Sequence, residues 1–183
     1  MKGLALLLSL AVLVLSSGCR PAARVAGPIQ LTATIAPAAD ILSRLVGEEA
    51  KVATLLPQGA SPENYEPTTQ DIRALAESKG FFYVGDLGFE RSWVERIKTH
   101  NPELKLYRLD AGLEAKHAGH SHGADGLVHD PHYWTSVRGL RALADEVLLG
   151  LVQLNPQDSA RYRERYQELT AQLDALQTEL ETT

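Results

Sequence analysis

Short β-branched or apolar segments alternate with amphipathic helical segments over residues 29–154, and this order leaves few folds open to the chain. The predicted strands cover 30–35, 51–56, 81–84 and 104–109, and the predicted helices cover 38–46, a segment starting after Thr68, 89–100 and 135–154. Strands that alternate with helices through short connections form βαβ units. The sequence therefore predicts an α/β fold with a parallel sheet flanked by helices.

Two longer connections interrupt this regular order. One covers 57–67 after the second predicted strand, and the other covers 110–132 after the fourth. Both leave from the carboxyl ends of strands, where open parallel sheets bind their ligands. We therefore expect a binding site at this edge of the sheet.

The N-terminus has the features of a secretion signal. Met1 and Lys2 precede the apolar run 4–15, which is too short to cross roughly 30 Å of hydrocarbon as a helix. The small residues 16–18 before Cys19 resemble a bacterial lipobox, although the leucine usually found three residues before the cysteine lies one position further away. We favour cleavage before Cys19 and lipidation of that residue; the alternative is an ordinary signal peptide with an incidental cysteine.

Composition narrows the class of protein further. The chain has a single cysteine, which excludes a disulfide scaffold, and it is 44% hydrophobic, which is sufficient for a core. Its 18 Lys and Arg against 23 Asp and Glu give no reason to expect a nucleic-acid partner. The predicted organisation is a signal peptide at 1–18, a lipidated tether at 19–28, an N-terminal α/β lobe at 29–154 and a long helix at 155–183.

The last segment carries a continuous apolar stripe on one predicted helix. The helix is expected to start at Pro156 and to run for about 39 Å at 1.5 Å per residue. The stripe residues recur at intervals of three and four: Tyr162, Tyr166, Leu169, Leu173, Leu176 and Leu180. One interpretation is a coiled-coil or bundle helix. We favour the other, a helix that supports more protein than this chain contains.

Five of the six histidines lie between 117 and 132, and imidazole suits zinc and its first-row neighbours. The glycine-flanked group His117, His120 and His122 predicts a mobile loop that chelates metal loosely, with a polar loop without a role as the alternative. His132 is different, because it follows Asp130-Pro131 and precedes two aromatic residues, so it would be held rigidly. Composition alone favours a packed structural histidine there unless a second feature points to the same place.

Two motifs in register supply that second feature. Residues 55–67 (LLPQGASPENYEP), followed by TTQDI, resemble the first metal loop of the cluster A-I substrate-binding proteins, the zinc and manganese receptors of bacterial ABC importers. Residues 129–134 (HDPHYW) are similar to the second motif of that family, Asp-Pro-His-x-Trp.

The resemblance implies two α/β lobes joined by one long rigid helix, with a metal held between them by four side chains. His132 is then the ligand of the second motif. Glu63 stands where the first motif usually has a histidine, and its carboxylate can bind zinc or manganese. The alternative is that Glu63 faces solvent and that a loop histidine or water takes its place. Glu66 could also bind metal by its chemistry, but the family pattern makes it a structural residue of the loop. The chain is accordingly interpreted as an N-terminal fragment, because two ligands and the second lobe are absent from it.

The function that the resemblance implies is capture of Zn²⁺, or alternatively Mn²⁺, and delivery to the membrane permease of an ABC importer. The protein would act without catalysis, as a monomer in the periplasm or at the cell surface, anchored to the membrane by its N-terminal lipid. The loop with His117, His120 and His122 would concentrate or sense the metal. The alternatives are a metal-dependent hydrolase using Glu63 as general base, a free-standing zinc buffer, and an adhesin. The hydrolase lacks support, because the sequence contains neither His-Glu-x-x-His nor Gly-x-Ser-x-Gly.

Overall fold

The structure is a computed structural model that describes residues 28–85, 87–113 and 132–182. Its strands are β1 (Ile29–Ala33), β2 (Ala50–Thr54), β3 (Gly80–Tyr83) and β4 (Lys105–Arg108). Its main helices are α1 (Ala36–Val46), α2 (Thr69–Glu77), α3 (Gly88–His100), α4 (Val137–Leu154) and α5 (Ser159–Thr182). The predicted α/β fold class is confirmed, and the predicted elements lie within a few residues of the observed ones.

The strands form one parallel sheet in the order β2-β1-β3-β4. The chain moves from β1 to one edge and then returns past β1 to β3, so the direction of winding reverses between these two central strands. Right-handed crossovers then place α1 on one face and both α2 and α3 on the other. Helix α4 packs against α1, β3 and β4, and α5 forms an outer layer against α1 and α4.

The core lies on both faces of the two central strands. Leu31 of β1 and Phe82 of β3 lie on one face of the sheet and are completely buried. Phe81 lies on the opposite face and is only 1% exposed, as expected for strands covered by helices on both sides. Helix α4 comes unusually close to the sheet at Gly150, where an added Cβ would lie 2.6 Å from the Phe82 ring and 3.0 Å from the Tyr107 ring. A glycine is needed there because the stacked pair of rings, 4.7 Å apart, fills the space that a side chain would take.

Helix α5 is attached to the lobe by the first part of its stripe. Tyr162, Leu169 and Leu173 are buried, whereas Leu176 is 41% and Leu180 is 60% exposed. The predicted long helix is therefore observed, although residues Pro156–Asp158 form a separate 3-10 turn before it. The same periodic pattern is packed at one end and open to solvent at the other.

An arginine on α5 also holds the end of α1. The Arg165 guanidinium donates hydrogen bonds to the backbone carbonyls of Leu45 (3.1 Å) and Val46 (2.6 Å). It also forms an ion pair with Glu49, at 2.9 Å. The last four carbonyls of a helix have no partner within the helix, so this one side chain satisfies two of them and joins two helices.

Two sequence predictions lie outside the described residues: the leader with Cys19, and the loop carrying His117, His120 and His122. Asp130 and Pro131, which precede His132, also lie outside them. In the parts of the chain that are described, no helix combines the length and apolar character needed to cross a membrane.

Candidate metal site

The loop after β2 is built from two consecutive turns. The first is closed by a hydrogen bond from the Ala60 amide to the Pro57 carbonyl (3.1 Å), and Gly59 adopts φ 83° within it. A positive φ at this turn position favours glycine. The second turn is closed by the Asn64 amide and the Ser61 carbonyl (3.3 Å). It brings Glu63 to the corner of the loop.

The C-terminal end of this loop is held on α2. The Tyr65 hydroxyl donates to Asp71 Oδ2 at 2.7 Å, and Asp71 also closes a capping box with Thr68, the residue predicted as N-cap. Burial and the neighbouring carboxylate raise the pKa of Tyr65 to about 12. The Tyr65 ring meets Phe89 of α3 edge to face, with ring centres 5.6 Å apart. The loop therefore has a fixed end on the helical layer.

His132 lies on a separate support, the 3-10 turn Tyr133–Thr135 before α4. Its carbonyl accepts hydrogen bonds from the Thr135 amide (3.0 Å) and hydroxyl (2.9 Å). The neighbouring Tyr133 hydroxyl reaches the Val84 carbonyl at 3.3 Å, directly after β3. The imidazole ring contacts Trp134 at a centroid distance of 5.3 Å. These contacts set the histidine over the carboxyl end of a central strand.

The start of α4 depends on a small residue. Ser136 caps the helix by accepting a hydrogen bond from the Gly139 amide at 3.0 Å. A Cβ at Gly139 would lie 1.7 Å from the Tyr133 carbonyl oxygen, so this position has no room for a side chain. The sequence predicted a helix starting at 135, whereas the 3-10 turn displaces its start to Val137.

A buried carboxylate supports the strand end on which Tyr133 rests. Glu90, 1% exposed in α3, accepts hydrogen bonds from the amides of Val84 (2.9 Å) and Gly85 (2.8 Å). Burial raises the pKa of Glu90. Sequence reasoning missed this residue, because an isolated glutamate in a helix gives no sign of being buried.

The two turns bring together the two residues that the sequence singled out. His132 Nε2 and Glu63 Oε1 are 2.8 Å apart, although the residues are 69 positions apart in the chain. The Ser61 hydroxyl donates to the other carboxylate oxygen, Oε2. The Glu63 side chain is 56% exposed and that of His132 is 40% exposed, so the pair faces solvent.

The electrostatics keep the carboxylate charged. Hydrogen bonds from Ser61, from the Glu63 backbone and from His132 hold the pKa of Glu63 below its ordinary value. An ionised carboxylate oxygen and an imidazole nitrogen are both ligands that Zn²⁺ accepts. Sequence reasoning did not identify Ser61, because its contact with Glu63 depends on how the folded turn places the two side chains.

The pair is not joined by a third ligand within the described parts of the chain. Over 28–85, 87–113 and 132–182, no group of three or more His, Cys, Asp or Glu side chains is arranged to hold a metal ion. Glu66 lies on the exposed surface of the same loop. The described residues thus offer two adjacent donor atoms of different chemistry.

Comparison with known proteins extends over nearly all of the chain. The family model described as ZnuA, zinc-uptake complex component A, periplasmic, matches residues 31–183. The manganese-binding lipoprotein MntA of Halalkalibacterium halodurans is 28% identical over 123 residues, which are 67% of this chain and 39% of that protein. The metal ABC transporter substrate-binding lipoprotein SsaB of Streptococcus sanguinis is 24% identical over 180 residues, which are 95% of this chain and 57% of that protein.

Solved structures agree with the fold. A crystal structure of ZnuA superposes with a TM-score of 0.72 at 29% identity, covering 84% of this chain and 57% of that one. Zinc-bound AdcA from Streptococcus pneumoniae superposes with a TM-score of 0.66 at 19% identity, covering 82% of this chain and 31% of that one. The chain thus spans less than two thirds of the length of each of these relatives.

Proposed function

The chain belongs to the family of the periplasmic zinc-uptake component ZnuA, and on that basis we propose that it captures Zn²⁺ outside the cytoplasm for an ABC importer, with Mn²⁺ as the alternative cargo. The contact between Glu63 and His132 is the observation that carries this proposal. Relatives named for zinc and for manganese both resemble the chain, which is why both ions are retained. The family consists of substrate-binding components, and the role proposed for the chain is binding without catalysis.

Metal capture would replace the hydrogen bond between His132 and Glu63 by bonds from both side chains to the ion. Because an ionised carboxylate can only accept, His132 Nε2 would donate its proton to Glu63 Oε1 in the absence of metal. Metal binding requires the unprotonated nitrogen, so the proton leaves and both atoms turn to the ion. Two ligand atoms about 2.0 Å from a tetrahedral ion are about 3.3 Å apart, so the observed 2.8 Å pair would have to open only slightly. The two donors are therefore already close to a binding arrangement.

A tight site needs more ligands than this pair. Structural zinc is normally held by four ligands, and the described residues supply Glu63 and His132. We propose that the chain corresponds to the first lobe and the linking helix of a longer receptor, with the remaining ligands on a second lobe. The incomplete coverage of the relatives supports this assignment.

The remaining parts of the proposal concern residues outside the described ranges. Cys19 would carry the lipid that anchors the protein to the membrane at the periplasmic or cell surface. His117, His120 and His122 would bind metal loosely and raise its local concentration. The partner would be the membrane permease of the importer, with the protein acting as a monomer. Lipoprotein relatives support the anchor; the adhesin alternative has no feature in its favour.

Zinc titration of purified variants tests the site. Affinity is measured by competition with a chromophoric chelator in a background carrying H117A, H120A and H122A, which removes the loop histidines. We expect H132A and E63A each to lower Zn²⁺ affinity by at least about tenfold. H100A is the matched control, because His100 is an exposed histidine at the end of α3. If H132A behaves like H100A, the proposed site is wrong.

The two alternatives, a metal-dependent hydrolase and a zinc buffer, would give different results in the same experiment. A hydrolase would show turnover of an ester or peptide substrate that depends on Zn²⁺ and is lost in E63A. A buffer that uses only the loop would lose all measurable zinc binding in the triple alanine background. We expect the triple alanine variant to retain Zn²⁺ binding that depends on His132, and to show no turnover.

A further inference from the structure

We propose that Ser61 is a positioning residue that makes Glu63 present a single oxygen to the metal, and that it thereby selects against Ca²⁺. This inference rests on the proposed function, because it assigns a selectivity device to the same site. Its basis is the different occupation of the two oxygens of one carboxylate. Oε2 accepts the Ser61 hydroxyl, whereas Oε1 faces His132 Nε2 at 2.8 Å.

The turn holds Ser61 where its hydroxyl can donate a hydrogen bond to Glu63 Oε2. The Asn64 amide closes the turn on the Ser61 carbonyl at 3.3 Å, so the serine and the glutamate lie at two positions of one hydrogen-bonded loop. Pro62 stands between them, and its ring limits the backbone to one range of φ. The hydroxyl is therefore supplied by a constrained backbone and does not depend on a contact with a distant element.

An exposed glutamate without such a partner would be free to rotate. The Glu63 side chain is 56% exposed, and rotation about its last bond would offer either oxygen, or both together, to an ion. The hydroxyl adds a preference, because a hydrogen bond to a charged acceptor is stronger than one between neutral groups. Ser61 thus favours the orientation in which Oε1 alone points towards His132.

This orientation distinguishes between cations. Zn²⁺ takes few ligands and accepts one carboxylate oxygen together with an imidazole nitrogen. Ca²⁺ takes six to eight oxygen ligands and uses carboxylates in the bidentate as well as the monodentate mode. Engaging Oε2 removes one oxygen from a calcium site, while it leaves intact the one oxygen that zinc requires. A receptor outside the cytoplasm gains from this, because a carboxylate that replaces a histidine would otherwise be more attractive to calcium.

The test measures zinc and calcium separately. Chelator competition with zinc sulfate and with calcium chloride is carried out on the full chain in the background lacking the loop histidines. S61A should lower Zn²⁺ affinity by about tenfold and leave Ca²⁺ affinity unchanged or increased, so the Zn²⁺ to Ca²⁺ affinity ratio falls by tenfold or more. S61T, which restores a hydroxyl at the same position, should return this ratio to within about twofold of the parent.

The controls separate the possible outcomes. S92A removes a serine hydroxyl that bonds a backbone carbonyl within α3, and it should change neither affinity. If S61A leaves the Zn²⁺ to Ca²⁺ affinity ratio unchanged, whether or not both affinities fall, the proposed role of Ser61 is wrong. H132A and E63A are measured in parallel to report on the site itself. If both leave zinc binding intact, the proposed function is wrong. If both weaken zinc binding but S61A has no effect, only the selectivity inference is wrong.

Discussion

An ion pair between Glu49 and Arg165 helps to attach the long helix α5 to the lobe. Removing the charge of Glu49 shows how much this contact contributes to the free energy of unfolding. Glu49 lies in the 3-10 turn after α1, and its carboxylate accepts hydrogen bonds from Arg165 at 2.9 and 3.3 Å. The Arg165 hydrogen bond, opposed by partial burial and assisted by Arg161, lowers the pKa of Glu49 from 4.5 to about 2. Replacing the carboxylate by an amide of the same shape, in E49Q, removes the charge and leaves the packing intact.

The size of the effect follows from the pKa. A carboxyl group whose pKa falls from 4.5 to about 2 on folding contributes at most about 3 kcal/mol to the free energy of unfolding at neutral pH. The Glu49 side chain is 24% exposed, and solvent screening reduces this to about 1–2 kcal/mol. For a chain of this size, that corresponds to a Tm lowered by about 2–8 °C.

The pH dependence has a defined sign. Because the folded-state pKa lies below the unfolded-state value, the stabilisation is fully present above pH 4.5 and disappears as the pH falls towards about 2. The difference in stability between the parent and E49Q should therefore shrink by about half between pH 7 and pH 3. Arg165 keeps its bonds to the carbonyls of Leu45 and Val46, so the helix should not detach completely.

Urea unfolding at pH 7 and pH 3, followed by circular dichroism, measures both effects. E48Q is the matched control, because it makes the same substitution at the adjacent exposed residue, and it should change stability by less than about 0.5 kcal/mol. Equal stabilities of E49Q and E48Q at pH 7, or a difference from the parent that is the same at both pH values, would refute the reasoning.

Two further predictions concern the core and the site. G150A places a Cβ 2.6 Å from the Phe82 ring and should lower the free energy of unfolding by about 1–3 kcal/mol in urea titrations; an unchanged midpoint would contradict the close approach of α4. E63H introduces the residue usually present in the first motif of the family and should raise the affinity for Zn²⁺ relative to Mn²⁺, because imidazole suits zinc better than manganese. Competition titrations with both ions would show a constant ratio if Glu63 is not a ligand.

Local sequence patterns predicted much of the architecture. The alternation of strands and helices and the N-cap at Thr68 are confirmed, because each depends on residues a few positions apart. The starts of the last two helices differ from the predictions, since 3-10 turns at Tyr133–Thr135 and Pro156–Asp158 precede them. Such turns use nearly the same residue types as a first helical turn, so composition does not separate them.

For the candidate site, the sequence predicted the residue types but not their arrangement in space. The motifs singled out Glu63 and His132 as residue types suited to metal binding, and the ligand roles assigned to them stay predictions. Their separation of 2.8 Å was not contained in either motif, since it depends on a turn after β2 and a turn before α4 meeting at one edge of the sheet. The orientation of the carboxylate by Ser61 likewise required the fold of the turn.

Sequence alone thus determined the order of the elements, the parallel α/β class and the identity of the two candidate donors, because periodicity and motif chemistry are local properties. Tertiary structure decided which atoms meet and which surfaces are covered. The stripe on α5 illustrates the reason: Leu173 is buried while Leu180, on the same helical repeat, is 60% exposed. A repeat marks the face of a helix that can be buried, but only the position of the neighbouring elements decides how much of that face is in contact.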